Sequence, residues 1–173
     1  MNVPKATQRL KFRKANEADT AFFLKLMNEP DYHRYIGDRQ ISDLTKAANY
    51  VREKLIQSYR SNGFGLWLVT RLSDGEPLGI CGIVEREGFD GPDLGYAFLA
   101  EHGGSGFARE AAHAVQKHAE HELGLTQLLA IVTPDNSRSI KLLQKLEFTR
   151  SNEMVFPGTD DLVEIYCWKA ALD

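Results

Sequence analysis

The sequence predicts a mixed α/β fold in which helices cover both faces of a central sheet. Three observations carry this prediction. Four segments repeat apolar residues at the helical period, and seven short apolar runs bounded by turn residues read as strands. Their order is strand, two helices, three strands, then strands and helices in alternation before two closing strands, which suits a layered architecture. No Pro-, Ser- or Gly-rich linker and no internal repeat divides the chain, so residues 1–173 are expected to form a single domain.

Leu10 and Phe12 alternate with Arg9, Lys11 and Arg13, the pattern of a short half-buried strand. Asn16 follows as a helix N-cap with Asp19 three residues on, and Phe22, Phe23, Leu26 and Met27 supply one face up to Pro30. The stretch Asp31–Ile41, rich in Tyr, His and Arg, reads as irregular. A second helix starts near Ser42. Leu44, Ala47, Ala48, Val51, Leu55 and Tyr59 keep its spacing, and Asn62 and Gly63 end it. Leu66–Thr70, Leu78–Val84 and Leu94–Leu99 are separated by turn residues around Asp74-Gly75 and Asp90-Gly91-Pro92, as in an antiparallel meander. Phe107–Leu123 reads as a helix with Ala108, Ala111, Ala112, Val115 and Ala119 toward the sheet and Gly124 as its stop. Leu128–Val132 is a buried strand and Ser137–Leu146 a helix led by Asn136. Thr149–Phe156 and Leu162–Trp168 close the chain as strands.

Composition narrows the class without naming a function. An apolar content of 43% and a charged content of 26% are those of an ordinary globular chain. A net charge of −3 speaks against a nucleic-acid binder, and no apolar run is long enough for a membrane span. The first residues, MNVPKATQRLKFRK, lack the apolar core of a secretory signal. Cys81 and Cys167 form no CxxC pair; two reduced thiols in a cytoplasmic protein are expected, with one disulfide as the alternative. His118 and His121 stand i,i+3, but no third ligand accompanies them, so a solvated helix face is expected rather than a metal.

The segment from Leu99 to Ala111 passes from a strand through Gly103-Gly104-Ser105-Gly106 straight into a helix. Glycines let backbone N–H groups converge, and a helix start adds unpaired donors and the positive end of the dipole. The alternative is a plain strand-to-helix connection. A P-loop would need Lys-Ser/Thr after its last glycine, where Phe107-Ala108 stands. A dinucleotide fingerprint would need a third glycine where Arg109 stands, and its acidic ribose ligand beyond the helix rather than at Glu120 or Glu122.

Glu101-xx-Gly104-x-Gly106, continued by Phe107-Ala108-x-Glu110-Ala111, resembles the cofactor motif of the GNAT superfamily of N-acetyltransferases. Glu101 replaces the usual Gln or Arg. This departure, with Asp93-Leu94-Gly95-Tyr96-Ala97-Phe98-Leu99, resembles the branch of ribosomal-protein N-terminal acetyltransferases. A second motif runs from Asn136 through Ser139-Ile140 and Leu142-Leu143 to Phe148, and Gly79-Ile80-Cys81-Gly82 fits the third strand. The resemblance implies a three-layer α/β/α fold with a mostly antiparallel sheet of about seven strands, splayed between the fourth and fifth. It implies acetyl-CoA as cosubstrate in that gap. Backbone groups of Phe98 and Leu99 would bond the pantetheine, and N–H groups of Gly103, Gly104, Ser105, Gly106, Phe107 and Ala108 the pyrophosphate. Asn136 would reach the pantetheine arm through its amide, besides acting as an N-cap.

The implied reaction is direct transfer of acetyl to an amine, a protein N-terminus or a small molecule, with no metal and no covalent enzyme intermediate. It needs an oxyanion donor, for which the resemblance points to an N–H near Leu99, an acid for the departing sulfur, and a base. Leu143 stands where many relatives carry a tyrosine acid, so Ser139 becomes the first candidate; its alternative is a helix-face serine bonding an earlier carbonyl. Glu85 and Asp93 are the candidate bases, against the alternative of solvated turn carboxylates. Tyr32, Tyr96 and Tyr166 are further proton donors or packing residues. Tyr32, His33, Arg34, Tyr35 and Arg39 fall where the acceptor loop would be, with packing between the first two helices the alternative. A non-catalytic acyl-CoA sensor is the second hypothesis, suggested by Leu143. Nucleotide-dependent oxidoreduction is a third, weakened by the missing glycine. No nucleic-acid or membrane partner is expected, and a homodimer is left open.

Overall fold

The computed structural model describes residues 2–171. Its strands are β1 (Leu10–Arg13), β2 (Leu66–Arg71), β3 (Pro77–Val84), β4 (Asp93–Phe98), β5 (Gln127–Val132), β6 (Thr149–Val155) and β7 (Leu162–Lys169). They form one seven-stranded sheet in the spatial order β1-β2-β3-β4-β5-β7-β6. All neighbours are antiparallel except β4 and β5, which run parallel. The helices are α1 (Thr20–Met27), α2 (Pro30–Tyr35), α3 (Leu44–Tyr50), α4 (Gln57–Ser61), α5 (Phe107–His121) and α6 (Ser137–Lys145). A π-helical stretch, Val51–Ile56, joins α3 to α4 as one rod.

Local chemistry explains most boundaries. The Asn16 side chain accepts the Ala18 N–H while Asp19 accepts the Asn16 N–H, a reciprocal cap that starts the first helical turn. Asp43 caps α3 and Asn136 caps α6. Gly63 and Gly124 follow α4 and α5 with φ of 77° and 67°, which glycine adopts without a Cβ clash.

Two expectations are corrected. The segment expected to be irregular, Asp31–Ile41, begins with the helix α2. Pro30 at its first position forfeits no hydrogen bond, and Asp31 and Arg34 sit at the ends that favour their charges. Six residues are too few to display a period. His118 is not on a solvated face: it is 4% exposed, its ring edge-on to Trp67 at 5.2 Å between centroids. Burial, opposed by Glu122, pulls its pKa down, so this imidazole is neutral. Leu44 stands 55% exposed in the first turn of α3, outside the core that Ala47, Val51, Leu55 and Tyr59 join.

Trp67, Cys81 and Tyr96 are cross-strand partners and share one face, where α5 meets Trp67 and α6 meets Tyr96. The N-terminal helices cover the other face, and the fold is a three-layer α/β/α sandwich. The α5 stripe of Ala111, Ala112, Val115 and Ala119 is fully buried, and such small side chains let the helix lie close on β3 and β4. The Gln116 amide donates to the Leu146 carbonyl at 2.9 Å, tying α5 to the end of α6.

Close approach also governs the meander. A Cβ at Gly82 would lie 2.0 Å from the Gly65 carbonyl oxygen and 2.7 Å from the Leu66 Cα, both backbone atoms. Gly82→Ala is expected to lose at least ~2 kcal/mol of unfolding free energy, because rigid backbone must move to admit the methyl. The urea midpoint measures this; an unchanged midpoint would contradict it.

Candidate active site

Strands β4 and β5 touch at one residue pair, Asp93 and Leu129, where the Leu129 N–H donates to the Pro92 carbonyl at 3.0 Å. Beyond it they part. Backbone groups along a strand alternate between its two edges. The Leu99 N–H donates to the Leu78 carbonyl at 2.9 Å, so Ala97 and Gly95, at the same parity, also face β3. Tyr96 and Phe98 therefore turn their N–H and C=O toward β5, past the point where β5 pairs with anything. The sheet carries an open strand edge in its middle, and open edges pair with extended chains.

That edge runs into the glycine turn. Gly104 and Gly106 take φ of 76° and 80°, and Gly106 caps α5 without a side-chain bond. Among the described residues, the N–H groups of Gly104, Ser105, Gly106, Phe107 and Ala108 have no acceptor. They stand in a run at the positive end of a 15-residue helix, a place suited to a phosphate. Two residues expected to contribute do not have free groups. The Gly103 N–H donates to the Ala100 carbonyl at 2.9 Å, so Gly103 shapes the turn. Leu99 spends its N–H on Leu78 and its carbonyl on the His102 N–H at 3.0 Å, because it both ends the β3 pairing and starts a helical turn. Phe98 remains the edge residue nearest the turn.

On the α5–α6 face of the gap, the Tyr96 hydroxyl is hydrogen-bonded to Ser139 Oγ. The expected alternative for Ser139, a bond to an earlier carbonyl, is not what its hydroxyl makes. Burial pushes the Tyr96 phenol up to about 12, against the opposing Ser139 bond, so it stays protonated at neutral pH. Asn136 Oδ1 accepts the Ser139 N–H at 3.2 Å, leaving the Nδ2 protons without a partner among the described residues. Leu143 is 1% exposed in the core.

On the opposite face, Asp93 is neither solvated nor free. It is 2% exposed at the apex of the gap, and Arg86 Nε donates to its Oδ2 at 2.9 Å. Burial outweighs Arg86 and pushes the carboxyl up to about 6. Tyr32 of α2 and Tyr50 of α3 lie beside one another, near Arg39 and Arg86, and burial raises both phenols. Glu85 is exposed. Two exposed ion pairs tie α2 to the start of α6: Arg34–Asp135 at 3.1 Å and Asp31–Arg138 at 3.5 Å. Such pairs contribute about 0–1 kcal/mol each.

Tyr166 instead donates to Glu164 at 3.1 Å, within β7. Cys81 is buried, its thiol pKa raised by burial, and Cys167 is also a free cysteine. A separate hollow of about 740 Å³ lies over β5, β6 and β7, lined by Phe89, Leu129, Met154 and Ile165 among others, and includes no residue of the glycine turn. Sequence reading missed Arg9, which reaches the turn from the other end of the chain. Its donation to the Ser105 carbonyl spans 96 positions, a separation no local pattern reports.

The chain is similar to known proteins in sequence and in fold. A protein-family model described as an acetyltransferase (GNAT) domain matches residues 9–149. The uncharacterized protein YkkB of Bacillus subtilis (strain 168) is 30% identical over 143 residues, covering 81% of each chain. The uncharacterized N-acetyltransferase p20 of Bacillus licheniformis is 28% identical over 147 residues, covering 83% of this chain and 81% of its own. An acetyltransferase structure from Agrobacterium tumefaciens str. C58 superposes with a TM-score of 0.82 at 24% identity, over 98% of this chain and 96% of that one. RimL, a ribosomal L7/L12 alpha-N-protein acetyltransferase in complex with coenzyme A, gives 0.82 at 16% identity, over 97% and 98%. These structural likenesses are of fold.

The Asp93–Arg86 pair yields a pH-dependent expectation. Removing one partner of a buried pair costs about 3–5 kcal/mol, and Arg86→Ala strands a buried carboxylate at pH 8. The Asp93 pKa is already raised in the folded state, so its ionisation costs stability as pH rises through about 6. Arg86→Ala should therefore lose more stability at pH 8 than at pH 5, and Arg86→Ala/Asp93→Asn should recover most of it. Denaturant titrations at both pH values check this; a pH-independent loss would contradict it.

Proposed function

This chain belongs to the GNAT acetyltransferase family, and from that premise we propose that it moves an acetyl group directly from acetyl-CoA to a primary amine. The acceptor is a protein N-terminus or a small-molecule amine, and residues 1–173 act as one catalytic domain in the cytoplasm. One observation carries the reading: the open edge at Tyr96 and Phe98 leads straight into the unclaimed N–H groups from Gly104 to Ala108. A pantetheine arm carries amides and ends in a pyrophosphate, so the two features suit it in the right order.

Acetyl-CoA brings the activated acetyl group as a thioester; the chain positions and exchanges protons. Phe98 offers an N–H at the open edge to the carbonyl oxygen where negative charge develops. The Ser139 hydroxyl, backed by the protonated Tyr96 phenol, delivers a proton to the departing sulfur. Asp93 is the better of the two candidate bases. Its pKa of about 6 leaves it ionised at neutral pH yet basic enough to accept an amine proton, directly or through water. Glu85 is exposed to solvent at the end of β3. The free Asn136 amide protons are placed to bond the pantetheine while Oδ1 keeps its capping role. Tyr32, Tyr50 and Arg39, on the Asp93 side, are assigned to the acceptor.

Coenzyme A and acetyl-CoA should each raise the melting temperature, since a ligand that binds only the folded state stabilises it. Acetyl-CoA with a panel of N-terminal peptides, polyamines, amino acids and aminoglycosides should release free thiol. No thermal shift with either compound would sink the cofactor assignment; binding without thiol release across the panel would sink the catalytic one. Ser139→Ala and Tyr96→Phe should each lower kcat by about a hundredfold or more, in the ~10²–10⁴ range of general acids, with little change in the KM for acetyl-CoA. The rise of kcat/KM through pH 6 should vanish in Asp93→Asn.

A further inference from the structure

We propose that Arg9 is a positioning residue that holds the glycine turn in its anion-binding form by pinning one peptide group. The inference rests on the reading above that this turn holds the pyrophosphate of coenzyme A. Arg9 Nη1 donates to the Ser105 carbonyl at 2.9 Å. In a planar trans peptide the carbonyl and the following N–H point opposite ways. With the Ser105 carbonyl drawn to Arg9, the Gly106 N–H is directed away from Arg9 and stays unbonded, like its neighbours in the turn. This peptide turns about Ser105 ψ and Gly106 φ, and the glycine on its C-terminal side, at φ of 80°, offers little local resistance. A rotated peptide would present a carbonyl oxygen to a phosphate in place of a donor. The turn lacks a side-chain cap of its own, and Arg9 is the side chain that supplies the restraint.

Arg9 is itself held at several points. Its Nε donates to Glu110 Oε2 at 2.7 Å, and Nη2 lies 2.6 Å from the same oxygen. The other oxygen, Oε1, accepts the Thr7 hydroxyl at 2.5 Å and the Arg9 backbone N–H at 3.1 Å. The guanidinium lies over the Phe107 ring at 4.6 Å, and the Arg9 carbonyl accepts the Leu72 N–H at 2.8 Å. Burial works against ionising Glu110, yet the Thr7 and Arg9 bonds hold its carboxyl below the usual range, so the pair remains charged at neutral pH. Ser105 and Glu110 flank the donors of Gly106, Phe107 and Ala108, and one guanidinium bridges them from 96 and 101 positions away. Lysine lacks the planar fork that serves both ends at once.

Dissociation constants for coenzyme A, measured by calorimetry, test the proposal on wild type, Arg9→Met, Arg9→Lys and Arg150→Ala. Methionine keeps the stem over Phe107. Arg150→Ala removes a surface ion pair with Glu153 and Glu164 on the far half of the sheet. Arg9→Met and Arg9→Lys should each weaken coenzyme A by about tenfold or more, which corresponds to ~1.4 kcal/mol. The KM for acetyl-CoA should rise in parallel, with kcat at saturation and the KM for the amine within about twofold of wild type. Arg150→Ala should bind as wild type does. Wild-type affinity in Arg9→Met overturns the proposal. So does wild-type affinity in Arg9→Lys, which would assign the effect to charge alone. If wild type itself fails to bind coenzyme A, the cofactor reading fails first, a result distinct from either.

Discussion

A single parallel bridge, Asp93 to Leu129, joins the two halves of the sheet, and the candidate site depends on its being single. With further pairs, the Tyr96 and Phe98 backbone would be consumed as the Leu99 N–H is consumed by β3. With none, the β1–β4 and β5–β7–β6 halves would share no strand contact. What holds the halves at a fixed separation lies outside the ladder. Gln116 reaches from α5 to the Leu146 carbonyl, and Tyr96 reaches from β4 to Ser139 on α6. These are bonds between elements on one face of the sheet, so they brace the gap without filling it.

The gap also sorts the chemistry by face. The protonated Tyr96–Ser139 pair lies on the α5–α6 side, and the Asp93–Arg86 pair lies on the side of the N-terminal helices. Both depend on burial. It raises a phenol still further above neutrality on one side and lifts a carboxyl toward neutrality on the other, where Arg86 alone would have lowered it. A net charge of −3 coexists with a turn rich in unpaired N–H donors, because local dipoles rather than total charge set the potential at a helix start.

Much of this was legible in the sequence because it is local. The Asn16 and Asn136 caps and the glycine stops after α4 and α5 follow from contacts within a few residues. Apolar spacing placed all seven strands to within a residue or two. Helix α2 escaped notice because six residues do not fill two turns. His118 was misread because its burial depends on Trp67, a partner 51 positions earlier on β2. Leu99 and Gly103 were assigned free backbone groups from their place in a motif. A motif records which residues stand together and not which of their N–H groups are already bonded.

The sequence by itself determined the seven strands, the longer helices, their order, and the glycine turn at a helix start, since these rest on period, capping and φ preferences that act along the chain. Its motifs also pointed to the family that the matching domain model identifies. Only the tertiary structure decided which of the turn's donors remain free, that Ser139 meets Tyr96, that Asp93 is buried against Arg86, and that Arg9 and Glu110 brace the turn. Hydrogen bonding and burial at these positions depend on partners up to 103 residues away, and which distant partner arrives is settled when the sheet assembles.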